Sequence, residues 1–234
     1  MSFEAWLQSR LVAHGHKIAV DGAIGGETTR ALIAFQRQKK IRQTGVADAA
    51  TVAALRAEPG KPKAVTSEPP AETLPPWMAE AQRRIGLHER RDNGLLAAFL
   101  KLGKYLGDPA KLPWCGDFVE TCIVKTLPGA VVPNNPFWAQ GWKDFGIDAG
   151  GPKVGSVGVI RWSATSGHVG FVAAYDAARR RVLLLGGNQS DSVNLTWFPL
   201  DRFIAFRWPE VYPIRAFPPL TGGAYSDGSA AGTR

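Results

Sequence analysis

Three side chains carry groups that can work together: a thiol at Cys115, an imidazole at His168 and a carboxamide at Asn188. The stretch Lys111-Leu-Pro-Trp-Cys-Gly-Asp-Phe-Val-Glu-Thr-Cys-Ile-Val124 reads as a helix opening just after Pro113, with Cys115 in its first turn. Trp114, Phe118, Cys122 and Leu127, with Val119 and Ile123 as a second row, give the spacing of a core-facing stripe. Free N–H groups and the positive dipole end at a helix start favour an anion, so a thiol there leans toward thiolate. The same groups can hold a developing oxyanion. The plainer use of such a cysteine is as a small buried hydrophobe. Cys122 lies seven positions on, a rise of about 10.5 Å along a helix, whereas a disulfide needs Cα atoms within roughly 7 Å. The two cysteines therefore do not bridge, and Cys122 reads as core. Asp117 and Glu120 would raise a neighbouring thiol's pKa unless turned to solvent, so a thiolate requires a basic partner from elsewhere.

His168, in Ser166-Gly-His-Val-Gly-Phe-Val172, is a candidate for that base, although a lone histidine there also reads as a satisfied core or surface residue. It opens a strand and alternates out of phase with Val169 and Phe171, so it points to the face opposite theirs. Asn188, in Gly186-Gly-Asn-Gln-Ser-Asp191, follows the next strand. It can hold an imidazole ring in one orientation, although as a turn residue it needs no such role.

The elements around these residues fall into two groups. Residues 1–57 read as a small helical domain: an amphipathic segment with Trp6, Leu7, Leu11 and Val12, a helix over 28–37, and a third over 49–55 with Asp48 as N-cap. Val20-Asp-Gly22, Gly26-Glu-Thr28, Ala31, Phe35-Gln36 and Gly45…Thr51…Leu55 resemble the pattern of the three-helix peptidoglycan-binding domain found on many wall hydrolases. His14 and His16 lack the neighbours that metal ligation requires and read as solvent-exposed loop residues. Residues 58–76 carry six prolines and read as a linker stiffened toward polyproline II, holding two domains apart while letting them reorient. From Trp77 to Pro213 helices come first (about 77–85, 95–102, the Cys115 helix and 138–145). Short strands follow at 157–162, 168–175, 181–185, 193–198 and 203–208. That order describes an α+β domain with a mostly antiparallel sheet. Residues 214–234 read as a disordered tail.

Cys, His and Asn follow the chain order of a papain-like thiol hydrolase. Pro113-Trp-Cys-Gly-Asp-Phe-Val, Trp142…Phe145-Gly, Gly155-Ser-Val-Gly-Val-Ile, Gly167-His-Val-Gly-Phe-Val and Leu185-Gly-Gly-Asn-Gln resemble more closely the CHAP family, and within it the branch found in phage endolysins. The resemblance implies a peptidoglycan-cutting amidohydrolase or peptidase with Cys115 as nucleophile, His168 as base and Asn188 as orienting residue. Some members carry Glu two residues before the Asn, where this chain has Gly186. Glu89 and Asn93 match a motif of this branch, and with Trp114 they are expected to line the substrate groove. The implied chemistry is acyl transfer through a thiolate–imidazolium pair, with no metal and no cofactor.

Composition sets the outer bounds. A chain of 234 residues, 45% apolar and 21% charged, accommodates one or two globular domains. Net charge +8 suits an anionic polymer, and no nucleic-acid motif accompanies it. No apolar run approaches the ~18 residues of a membrane span. The N-terminus lacks the pattern of a signal peptide. The expectation is a monomer made in the cytoplasm that acts on peptidoglycan after release by another route. The rival readings are a thiol protease acting on proteins and a wall-binding protein without activity.

Overall fold

The structure is a computed structural model and describes residues 1–57, 59, 73–220, 225–229 and 232–233. The segment read as a linker lies almost wholly outside the described residues.

Three helices open the chain: α1 (Phe3–Ala13), α2 (Gly26–Gln38) and α3 (Ala49–Arg56). They enclose a core of Trp6, Leu7, Leu11, Leu32, Phe35 and Leu55. Ser2 caps α1 and Asp48 caps α3, each accepting a backbone N–H of the first turn. Two buried glutamines tie the loops. Gln8 accepts the Gly22 N–H and donates to Asp21, and Gln36 accepts the Gly45 N–H and donates to Val46 O and Thr51. The Asp-Gly, Phe-Gln and Gly…Thr pattern is therefore what satisfies the amides of two loops. His14 and His16 are not free in solvent as the sequence suggested. Both are half-buried, with their rings set edge-on to Phe35.

The second group begins with α4 (Pro76–Gln82), α5 (Asn93–Leu100) and α6 (Cys115–Thr126), followed by a 3-10 helix (Ala139–Asp144) where a full helical segment was expected. The strands are β1 (Ile147–Asp148), β2 (Val157–Arg161), β3 (Gly167–Asp176), β4 (Arg181–Gln189), β5 (Ser192–Pro199), β6 (Phe203–Trp208) and β7 (Tyr225–Asp227). They form one sheet in the order β1-β6-β2-β3-β4-β5-β7, antiparallel except for the β5–β7 pair. The fold is α+β, with helices packed on a mostly antiparallel sheet. Both faces are apolar, so β4 reads as a run of buried residues rather than an alternation. One face carries Val169, Phe171, Leu183 and Leu185 against α6, and the other carries Ile160, Val172, Leu184 and Phe198. The buried Glu80 carboxylate pins α4 to α6 through Lys125, at 2.9 Å, and also takes Arg83 and Arg84.

Two expectations give way here. Residues 214–234 are not without structure where they are described: Leu195, Thr196 and Trp197 pair with 225–227, the Ser190 N–H donates to Gly232 O, and the Trp162 indole donates to Thr233. The short β7 escapes the sequence because its Ser, Asp and Gly flanks read as turn. The helical unit, expected to reorient freely, is docked. Val46 is buried in the core of the second group, and Arg215 donates to Ala47 O. A small cavity of about 30 Å³ separates Phe3, Leu7 and Ile24 from Ala79, Arg83 and Thr126. The contact lies at the C-terminal end of α6, far from Cys115.

Candidate active site

Cys115 is the first residue of α6, and no side chain caps that helix start. The open amides serve the thiol instead. The N–H groups of Val169, Gly116 and Cys115 itself favour the thiolate, Val169 most among them. The Val169 amide is available because the β3–β4 ladder runs only from Phe171↔Leu185 to Asp176↔Arg181. The strands are unpaired at the end where the thiol enters. Gly116 lets the Pro136 carbonyl pack against the helix start, since a Cβ there would sit 2.0 Å from that oxygen.

His168 is the residue before Val169, but the thiol meets the Val169 side of β3 and the imidazole lies on the other side, with no hydrogen bond between them. The ring is fully buried on the face opposite Val169 and Phe171, as its phase predicts, with its centroid 5.5 Å from that of Phe198. Its Nε2 bonds to Gln189 Oε1 at 3.1 Å, and its Nδ1 is buried with no hydrogen-bond partner. The ring bond is thus made by Gln189 and not by Asn188. The irregularity in β4–β5 pairing between Gly186 and Gln189 brings Gln189 into phase with His168. Asn188 is buried at φ 56, in the left-handed turn region that Asn tolerates. Gly186-Gly187 ahead of the amides was the one sequence signal for such an irregularity.

The electrostatics also depart from expectation. Burial pushes the Cys115 thiol up to about 11, against the three amides and with a further rise from Asp117. Burial pushes His168 down to about 4, against the Gln189 bond. The resting pair is a neutral thiol and a neutral imidazole, not the preformed thiolate–imidazolium pair. Asp117 does not turn to solvent. It is 1% exposed and accepts the Leu106 N–H, and burial first, then Glu120, raises its carboxyl to about 6. Cys122 is buried in the core, and both cysteines are free.

Glu89, Asn93 and Trp114 hold the site together from within rather than line its surface. Glu89 and Trp114 are buried, and the indole Nε1 donates to the Glu89 carboxylate at 3.0 Å. The Glu89 N–H donates to Asp191 O, and the Trp114 ring lies against Gly187, where a Cβ would approach it to 2.4 Å. Asn93 donates to Glu89 O and to Asp108. The loop before α5 thereby joins the start of α6 to the β4–β5 turn. The surface beside Cys115 is a groove of about 250 Å³ walled by Pro113, Phe137, Trp138, Ser166 and Gly167. Trp138 is 47% exposed there. Gln140 pins the hairpin loop of that wall by donating to Ser163 O and Ser166 O. Sequence reasoning missed Trp138 as a wall residue, because an aromatic in a helical pattern reads as core.

A thiol at an uncapped helix start beside a groove is placed for attack on a carbonyl, although the imidazole lies across the sheet from it. Residues 107–188 match the model of the CHAP domain, and residues 5–55 match that of a putative peptidoglycan binding domain. The chain carries both domains. No curated protein and no solved structure matches it. The CHAP match spans Cys115, His168 and Asn188 and stops one residue short of Gln189. A CHAP domain implies a cysteine-dependent amidohydrolase, carried here with a peptidoglycan-binding domain. Among the described residues, no cluster of three or more His, Cys, Asp and Glu is placed to hold a metal, and no helix is long and apolar enough to cross a membrane.

Proposed function

We propose that the protein is a modular peptidoglycan hydrolase that cuts an amide bond of the wall through a Cys115 thioester, in the role of an endolysin. What supports this is the Cys115 thiol at an uncapped helix start beside the groove, inside the stretch that matches the CHAP domain, with His168 next in the chain to the Val169 amide that faces the thiol. As Sγ attacks the carbonyl carbon, the proton passes from the thiol to His168, because the buried pair is neutral beforehand. The N–H groups of Cys115 and Gly116 are at hand for the oxyanion. The imidazolium then protonates the departing amine, and the neutral ring activates water to hydrolyse the thioester. The helical domain raises the local concentration of the catalytic unit at the immobile wall without touching the scissile bond. The protein acts as a monomer after release to the wall.

The test is clearing of isolated sacculi with and without chelator. Wild type and Cys122→Ala clear the suspension in both conditions, and Cys115→Ala does not. Binding without clearing by wild type would favour the second reading, a wall-binding protein without activity, for which the raised thiol pKa speaks. Expression inside a Gram-negative host tests the endolysin role: lysis should require a co-expressed membrane-permeabilising protein.

A further inference from the structure

The geometry points to Gln189, held by Asn194, as the residue that fixes which nitrogen of His168 is the base. The inference rests on the thiol-hydrolase reading and adds a positioning residue to it. Gln189 is 1% exposed, and each end of its amide has a defined partner. Its Nε2 lies 2.7 Å from Asn194 O and 2.9 Å from Asn194 Oδ1. Both are oxygens, which accept, so the NH₂ end of Gln189 must face them. Asn194 is held in its turn, because its Nδ2 donates to Gln189 O at 2.7 Å and the Thr196 hydroxyl donates to its Oδ1 at 2.7 Å. The end of Gln189 left toward His168 is therefore Oε1, which can only accept.

An acceptor 3.1 Å from Nε2 requires the proton of the neutral ring to sit on Nε2. Nδ1 then carries the lone pair, and it is the ring atom with no hydrogen-bond partner. A buried acceptor left open is costly unless something comes to use it. In the thiol-hydrolase reading that group is the Cys115 proton, which stands on the Val169 side of β3 and makes no hydrogen bond to the ring here. The chain Thr196–Asn194–Gln189–His168 thus sets the base before substrate arrives. Proton transfer leaves Nε2–H in place, and the Gln189 carbonyl dipole then faces the cationic ring.

The test is ¹⁵N–¹H correlation of the His168 imidazole in the full chain at neutral pH, with clearing kinetics on sacculi. Wild type should show a protonated Nε2 and a bare Nδ1. Gln189→Ala should lose that preference and lower kcat/KM about 100-fold, the scale of general-base catalysis, with KM little changed. Gln189→Glu, which still only accepts, should keep the Nε2–H form and recover activity while moving the acid limb of the pH profile upward. Asn194→Ala should loosen the tautomer preference less. A wild-type ring protonated on Nδ1 would overturn the inference whatever the variants do, and so would Gln189→Ala with the wild-type tautomer and rate. Clearing that survives Cys115→Ala would instead sink the hydrolase reading and leave the tautomer measurement standing.

Discussion

Cys115 is pulled two ways, by amides that stabilise its thiolate and by burial that removes it from water, and burial wins. A neutral pair predicts a particular pH profile. His168 must be unprotonated to act, so kcat/KM for sacculi should hold down to about pH 5 and fall as His168 takes its proton near 4. A preformed ion pair would lose activity as the thiolate was protonated, commonly well above that pH. Stability reports on the same groups. The folded pKa of His168 lies below its unfolded value, so acidification from 6.5 toward 4 protonates the unfolded chain first and destabilises the fold. Asp117 does the opposite. Its folded pKa of about 6 exceeds the unfolded 3.8, so stability drops as pH rises through that window and the cost is complete above it. Asp117→Asn should raise stability at pH 7 by at most about 3 kcal/mol and leave the acid loss due to His168 exposed. Denaturant titrations from pH 4 to 7 check both. The positions of Cys115 at a helix start and His168 at a strand start were legible in the sequence, but that the two side chains lie on opposite faces of β3 was not. Gln189 was not, because one irregularity in the ladder reverses which residue of an Asn-Gln pair faces the ring, and side-chain period alone assumes none.

At the level of elements, a buried indole–carboxylate bond joins α6 to the loop before α5 and, through the Glu89 N–H, to the β4–β5 turn. Glu89→Ala leaves the Trp114 N–H buried without its acceptor and should destabilise the CHAP domain by about 1–3 kcal/mol. Glu89→Gln keeps an acceptor and should lose much less. Equilibrium unfolding in urea separates the two, and equal losses would remove the bond from the account. Gly187→Ala puts a Cβ against the Trp114 ring and should cost about 1–3 kcal/mol as overpacking. The existence of these elements was readable from apolar period, but the role of the Glu89 motif was not. A polar residue between helices reads as groove lining until burial is known, and only the fold shows Glu89 wholly inside.

Across the whole molecule, the helical domain rests on the C-terminal end of α6, so that domain and Cys115 occupy opposite ends of one helix. The sequence identified both domains but not their contact, because Val46 sits in a short loop and looks like any exposed apolar residue. Val46→Glu places a charge in that contact. It should undock the domains without unfolding either, increasing the radius of gyration in small-angle scattering while activity on soluble fragments persists. An unchanged radius would mean that the contact does not hold the domains together. The +8 net charge predicts in addition that wall binding weakens as salt rises, since screening shortens attraction to an anionic polymer. The account's centre is still one sulfur atom. Acid quenching during turnover on soluble muropeptides, followed by mass spectrometry of the digested protein, tests it most directly. The account predicts an acyl adduct on the peptide bearing Cys115, absent in Cys115→Ala. An adduct on Cys122, or turnover that continues in Cys115→Ala, would contradict it.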